Sequence, residues 1–444
     1  MNRYAEQLAA AGMNPAEAEA KGDLFERAAK VLPGEYKPAG LRAIYVPGRI
    51  EVLGKHTDYA GGQSLLCAVE RGFCLVARTR QDAQVQVWNA RTRERCALKL
   101  DPDFQPAESG WSNYPGVAAR RIARNFPSAR RGADLAFISD LPAASGMSSS
   151  SALIVAIFLA LADINALAES AAYRREIRNR EDLAAYLGTV ENGESFGSLA
   201  GGRGVGTFGG SEDHTAILCS RAGELRQYSF CPIRHERTLA LPDDLAFCIG
   251  VSGVVAMKTG EARDGYNRAS LAAKRILEIW RAETGRNDRS LAVAAASTPD
   301  APRRMLELLR KSGNTAFSAE SLANRFEQFS RESTEIVPGA AEALASRDLH
   351  RFCLLVERSQ QAAESLLGNQ VPETIALVRS ARALGAIAAS AFGAGFGGSV
   401  WAMVPASDVA CFESHWASWY RDLFPGAEKS CFFSTHPGPG ALRL

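Results

Sequence analysis

The stretch LPAASGMSSSSALIVAIFLALA, residues 141–162, limits what this chain can become more than any other part of it. Its apolar run, Ala152 to Ala162, is 11 residues long, well short of the roughly 20 that a bilayer span needs. It therefore reads as a buried helix of a folded body. Small residues from Ala143 to Ala152 lead directly into it. Small side chains let backbone N–H groups approach an anion, and the positive end of the helix dipole faces it. The hydroxyls of Ser148, Ser149, Ser150 and Ser151 can add contacts to phosphate or Mg²⁺. The plainer reading is a serine-rich N-cap. A Walker loop is excluded, because no Gly-Lys-Ser/Thr follows.

Two further clusters carry chemistry. SAFGAGFGGSVWAMV sets Gly393, Gly395, Gly397 and Gly398 before a strand-like run, which suits a close backbone approach to a ligand or another segment. The order, loop then strand, is wrong for a dinucleotide fingerprint. VPGRIEVLGKHTDYAGGQSLLCAVERGF places Arg49, Lys55, His56 and Asp58 within ten residues among four glycines. Sugar hydroxyls want donors and acceptors together, so this loop suits a polyol; a solvated hairpin is the alternative.

The remaining pattern is mixed. Strand-like runs cover Arg42–Val46, Phe73–Arg78, Val85–Trp88 and Ala133–Ser139, with helical stretches after Gly116 and after Ser149. Leu245–Val251 reads as a strand, Glu261–Glu283, Asp348–Leu367 and Glu373–Gly385 as helices, and SVWAMV as a strand. Such alternation predicts an α/β or α+β protein, and 444 residues suggest two domains, parting in the turn-rich stretch 221–244. The net charge of +2 gives no field for nucleic acid or membrane. The arginines at 120, 121, 124, 130 and 131 read as a solvated helix face. Nine scattered cysteines without a CxxC pair fit reduced thiols, and the N-terminus carries no signal-peptide core, so the expected compartment is the cytoplasm.

Together the three clusters resemble the motifs of the GHMP small-molecule kinases, in the family's order over roughly 41–404, and the polyol loop resembles the galactokinase signature Gly-Glu-His-Thr-Asp-Tyr. WSNYPGV resembles the segment whose Trp borders the adenine, here Trp111. VENGESFG resembles the stretch with the magnesium-binding Glu, here Glu191. GGSEDHTAILCS resembles the segment with the catalytic Asp, here Asp213, and GEARDGYNRAS the helix whose Tyr contacts the sugar, here Tyr266. On the residues alone, Asp213 reads first as a turn or cap Asp in a Gly-Ser segment.

The resemblance implies an α+β, two-lobed GHMP kinase fold. A ribosomal-S5-like lobe (1–222) and a ferredoxin-like lobe (223–444) would hold the active site between them. It implies transfer of the γ-phosphoryl of ATP to a sugar hydroxyl, in galactokinases the anomeric one. Asp213 and Arg49 would be catalytic, and Lys55, His56, Asp58 and Tyr266 would hold the sugar. Trp111, Ser145, Gly146, Ser148, Ser149, Ser150 and Gly395 would hold ATP, and Ser149, Ser150 and Glu191 the Mg²⁺. No nucleic acid or membrane partner is expected, and the chain would be a monomer or weak dimer.

This sequence departs from the family pattern at several places. Lys55 replaces the Glu that contacts the sugar's far hydroxyl, in a chain with only nine lysines. A lysine there suits an acidic sugar such as galacturonate or glucuronate, or else it is turned to solvent or paired to Asp58 and the sugar is plain galactose. The family's Asn-Ser-Asn reads Val251-Ser252-Gly253, its Ser-His pair Ser359-Gln360, and the Gln after the catalytic Asp is His214. A Gly-rich insertion from Gly197 to Gly210 stretches the spacing of Glu191 and Asp213, which makes Glu194 an alternative metal ligand. Extra length lies here and in 284–320, expected as a helical elaboration. A catalytically silent sugar and ATP sensor is the rival of another class.

Overall fold

The computed structural model describes residues 2–34, 40–142, 145–254, 261–312 and 316–444, so Ala143 and Ala144 of the serine cluster lie outside the described residues. Twelve strands form among them: β1 (Arg42–Leu53), β2 (Gln63–Thr79), β3 (Gln84–Asn89), β4 (Arg95–Lys99), β5 (Ala133–Ser139), β6 (Glu224–Ser229), β7 (Arg234–Ala240), β8 (Leu245–Val251), β9 (Ala388–Ala391), β10 (Ser399–Pro405), β11 (Cys431–Thr435) and β12 (Leu442–Arg443).

The larger sheet runs β12-β1-β2-β5-β3-β4, with the hairpin β6-β7 attached to β2. β1 and β2 carry long runs of buried residues, as expected of strands covered on both faces. One face packs against the helix Ser149–Ile164, whose residues 151–162 are all buried, so the apolar run is the central helix of this lobe. Tyr4, Leu8 and Phe25 of two N-terminal helices cover the other face against Tyr45, Cys74 and Val76. There the buried Lys21 is paired with Asp140 at 2.7 Å and Glu17 at 2.6 Å. The smaller sheet has the order β11-β8-β10-β9, all antiparallel, with helices between β8 and β9 and between β10 and β11. That is the β-α-β-β-α-β arrangement of a ferredoxin-like lobe.

The sheet does not end at 222. β6 and β7 continue it to Ala240, and β12 returns from the C-terminal segment to pair with β1. The stretch 221–244 is thus a hairpin, not a linker. Helices Leu291–Ala295, Ala301–Leu309 and Ala319–Arg331 pack with Glu261–Thr284 around Trp280, Leu309 and Phe326, and form the helical elaboration. No helix of the described residues is long and apolar enough to cross a membrane.

Candidate active site

A cavity of about 470 Å³ opens between the polyol loop, the serine cluster, the Gly-rich insertion and the loop after β9. β1 supplies its floor. Arg49 and Glu51, two apart on the strand, both line it, and both are buried. The register of β1 on β2 shifts between Pro47 and Arg49, and there Arg49 N–H donates to the Met147 carbonyl at 3.3 Å. Gly48 is required: a Cβ would meet the Leu141 side chain at 2.7 Å and the Met147 oxygen at 2.9 Å. This contact seats the serine cluster on the strand.

Arg49 is the electrostatic centre. Its Nε donates to Asp213 Oδ1 at 2.8 Å and its Nη1 to the Gly146 carbonyl at 2.8 Å, while Glu51 and Glu212 approach at 3.8 and 3.9 Å. Burial opposes its charge, but the carboxylates of Asp213, Glu51 and Glu212 outweigh that and fix it as a cation. Asp213 lies in the first turn of the helix Glu212–Cys219, where a carboxylate is favoured by the helix dipole. The hydroxyl of Ser151 bridges Asp213 Oδ2 (3.2 Å) and Glu191 Oε2 (2.7 Å), and His214 Nε2 lies 3.4 Å from the same Glu191 oxygen.

Ser148, Ser149, Ser150 and Gly146 line the cavity beside this group. Ser148 has a left-handed backbone, φ 59°, and its buried hydroxyl has no hydrogen-bond partner. That orphaned hydroxyl, with those of Ser149 and Ser150 and the Glu191 carboxylate on the same lining, is a hard-oxygen set of the kind Mg²⁺ takes, so the residues present fit that ion. Glu191 lines the cavity, whereas Glu194 faces a separate cleft, its carbonyl taken by Arg121. The Ser151 hydroxyl donates to Glu191, and Ser149 and Ser150 line the cavity with that glutamate.

At the opposite end His56, Asp58, Tyr59 and Tyr266 converge with Gly209, Gly210 and Ala394. Arg325 donates to Tyr59 Oη at 3.1 Å, and Tyr59 Oη meets His56 Nδ1 at 2.9 Å. In that chain the tyrosine hydroxyl donates to Nδ1, which accepts, and the single ring proton sits on Nε2, which faces the Ala394 carbonyl at 3.3 Å. Burial, then the Arg325 charge, pull His56 down to about 3, so the imidazole is neutral. Asp58 Oδ2 accepts from Glu212 N–H at 3.0 Å, and burial pushes its carboxyl up to about 6. The Tyr266 ring lies 5.1 Å from His56. Trp111 and Tyr114 line the far end, with Trp111 braced edge-on against Phe137 at 5.6 Å.

Four expectations need correction. Lys55 does not line the cavity. It is fully buried on the other side of its loop, where Nζ donates to Ser390 Oγ at 2.7 Å and Ser359 Oγ at 3.1 Å, and Ser359 Oγ in turn meets Glu332 Oε1 at 2.9 Å. Two departures from the family pattern, Lys55 and Ser359-Gln360, thus meet in one network, since Gln360 Oε1 accepts from Ser390 Oγ at 3.1 Å. Gly395 is absent from the lining; a Cβ there would run into Asn369, so its role is close packing. Ser145 also lies off the lining, its hydroxyl donating to the Pro142 carbonyl at 2.8 Å. Arg121 is no solvated residue: it is buried, bonded to Asn125 at 2.9 Å and Thr189 at 3.0 Å. Glu51 and Glu212 were missed, although a charged residue inside the apolar run IEVL and another beside Asp213 were visible signals.

Comparison with known proteins agrees with this geometry. The galactokinase galactose-binding signature matches residues 34–79, the GHMP kinases N terminal domain residues 113–202, and the GHMP kinases C terminal domain residues 340–422. A galactokinase of Chloroflexus aggregans is 27% identical over 413 residues, 89% of this chain and 94% of that one. One of Roseiflexus is 27% identical over 391 residues, 85% of this chain and 87% of its own length. The crystal structure of Lactococcus lactis galactokinase complexed with galactose superposes with a TM-score of 0.76 at 21% identity, covering 96% of this chain and all of the other. Both GHMP kinase domains and the galactose-binding signature are thus matched in chain order, and relatives named galactokinase align along most of the chain, which is similar to the GHMP kinases and, among them, to galactokinases.

Proposed function

We propose that this chain is an ATP-dependent sugar kinase that moves the γ-phosphoryl group of ATP to the anomeric hydroxyl of galactose or a related monosaccharide. The observation that carries the reading is the 2.8 Å pair of Asp213 and Arg49, which stands where the polyol end of the cavity meets the serine cluster. Asp213 orients the attacking hydroxyl and takes its proton, and Arg49 offsets charge on the transferring group. The serine cluster and the N-terminus of the helix Ser149–Ile164 receive the phosphates, with Trp111 and Tyr114 beside the base. Glu191 with the hydroxyls of Ser148, Ser149 and Ser150 on the same lining would hold Mg²⁺, which when bound neutralises phosphate charge. His56, Asp58 and Tyr266 hold sugar hydroxyls.

The acidic-sugar reading loses its support, because Lys55 lies off the lining and Arg49 is committed to Asp213. The test is ADP release from Mg·ATP across galactose, arabinose, glucose, uronic acids and amino sugars. Asp213→Asn is expected to lower kcat by about 10²- to 10⁴-fold. Tight ATP binding with no turnover on any sugar would replace the kinase by a sensor.

A further inference from the structure

The helix Ala319–Arg331 is part of the helical elaboration, yet one side of it ends on the polyol loop. Arg325, Gln328 and Glu332 stand at i, i+3 and i+7 on this helix and its continuation, and they are 3%, 1% and 0% exposed. Together they grip three successive residues of the loop by the backbone. Glu332 Oε1 accepts from Gly54 N–H at 2.9 Å, Gln328 Nε2 donates to the Lys55 carbonyl at 3.0 Å, and Arg325 Nη2 donates to the His56 carbonyl at 2.6 Å. The grip falls where the backbone needs it, because Gly54 has φ 119° and His56 φ 57°, the latter a conformation that a residue with a side chain resists.

Arg325 does more than hold the chain. Its Nη2 also donates to Tyr59 Oη at 3.1 Å, and its Nε donates to the Ala269 carbonyl at 3.3 Å, one turn after Tyr266 on the helix Glu261–Thr284. One guanidinium thus touches the elements that carry His56, Tyr59 and Tyr266, all of which line the sugar end of the cavity. An arginine only donates, so Tyr59 Oη accepts from it and spends its own proton on His56 Nδ1 at 2.9 Å. At the other ring nitrogen the Ala394 carbonyl, 3.3 Å away, can only accept. Both sides of the ring therefore require its single proton on Nε2. A neutral imidazole with a fixed tautomer offers a sugar hydroxyl one donor at one place.

We propose that Arg325 is a positioning residue of the sugar site: it locks the backbone of His56 and, through Tyr59, the tautomer that presents Nε2–H to a sugar hydroxyl. Arg325 does not line the cavity, so it acts through His56 and Tyr59 and not on the sugar. The inference rests on the kinase reading for the substrate it serves.

The experiment compares the wild type with Arg325→Lys and Tyr59→Phe, in galactose kinetics with Mg·ATP and in nitrogen NMR of the His56 ring. Arg325→Lys keeps the charge and loses the planar fork that reaches several acceptors at once. Its KM for the sugar is expected to rise by about tenfold or more, the scale of a charge-assisted hydrogen bond, with KM for ATP unmoved. The wild-type ring is expected to carry its proton on Nε2 alone. Tyr59→Phe leaves Arg325 its bond to the His56 carbonyl and removes the donor to Nδ1, so it is expected to mix the two tautomers with a smaller rise in sugar KM. An arginine that only supports the fold would lower the melting temperature and leave tautomer and sugar KM as they were. That result, or a wild-type ring protonated on Nδ1, would overturn the inference. If Arg325→Lys does not fold, the wild-type spectrum and Tyr59→Phe still decide. If no sugar is phosphorylated, the kinase reading fails by itself, and calorimetric titration of galactose takes the place of the kinetics. Binding that weakens about tenfold in Arg325→Lys would sustain the inference, and binding indifferent to the variant would sink it.

Discussion

The ammonium of Lys55 is held out of water by two serine hydroxyls, and Glu332, whose charge stabilises it, keeps one buried oxygen without a partner. Lys55→Glu would set a second carboxylate against Glu332 and remove the cation, at a cost of about 3–5 kcal/mol. In a chain of this size that is a fall in melting temperature on the order of 10 °C, read by calorimetry. A variant that melts with the wild type would show that Lys55 reaches solvent or substrate. The motif position was legible in the sequence, but which side of the loop the side chain takes was not. That choice depends on Ser359 and Ser390, some three hundred residues away. Asp58 makes an opposite case. Its residue type and place in the cavity were both legible, and burial raises its carboxyl from 3.8 to about 6. The folded state therefore holds the proton more tightly than the unfolded chain. The stability this contributes is present below about pH 4 and is lost as pH rises through 6, by up to ~3 kcal/mol. Asp58→Asn cannot ionise, so its melting temperature relative to the wild type is expected to climb between pH 4 and 6 and then level off, while sugar KM rises. Parallel melting curves across that window would contradict the assignment.

Elements with their own signal were read closely: Ala133–Ser139 and Leu245–Val251 coincide with β5 and β8, and the helix after Ser149 runs to Ile164. Each is nearly all buried, so composition alone announces it. The hairpin β6-β7 was missed because its strands are held by backbone pairing, and β7 is almost wholly exposed and polar. β1 was read short, since Gly48 and Arg49 break its apolar run although pairing continues past the bulge to Leu53. The Gly-rich loop was legible as a close approach, but not its partner. Gly395, Gly397 and Gly398 take φ of 71°, 118° and 88°, which a side chain resists. Gly393 is different, with no such φ, so an alanine there is limited only by space. In Gly393→Ala the methyl must displace the Glu51 carboxylate. The expected result is a rise in sugar KM of about tenfold or more, from a cavity wall pushed out of place, with KM for ATP and the fold retained. Unchanged sugar kinetics would place Glu51 outside the sugar's reach.

At the scale of the molecule, alternation of elements and chain length gave two lobes, while the boundary at 222 cut through a sheet that pattern reading could not assemble. The reason is the path of the chain: after building the smaller sheet it returns to the first lobe through residues 437–444. Gly438 N–H donates to the Ala68 carbonyl at 2.9 Å, Gly440 to Ser220 at 3.1 Å, Ala441 to Ile217 at 2.8 Å and Leu444 to Ala43 at 2.9 Å. Through these bonds one short segment ties together β1, β2 and the helix that carries Asp213. Residues this short and this rich in Gly and Pro carry no strand signal of their own, because Leu442 and Arg443 are extended only by pairing with Tyr45 and Ile44. Removing 437–444 leaves β1 as an open edge and strips the end of the Glu212–Cys219 helix of its carbonyl partners. Five backbone bonds, these four and Gly223 N–H to the Pro437 carbonyl, at about 1 kcal/mol each, with the buried Ala441, amount to several kcal/mol and a fall in melting temperature on the order of 10 °C. Activity is expected to fall further than this loss of stability explains, when measured well below the melting point, because Asp213 loses the support at the far end of its helix. Truncated protein that melts lower but keeps full kcat would confine the segment to holding the sheet, and truncated protein that melts with the wild type would remove it from the fold's stability altogether.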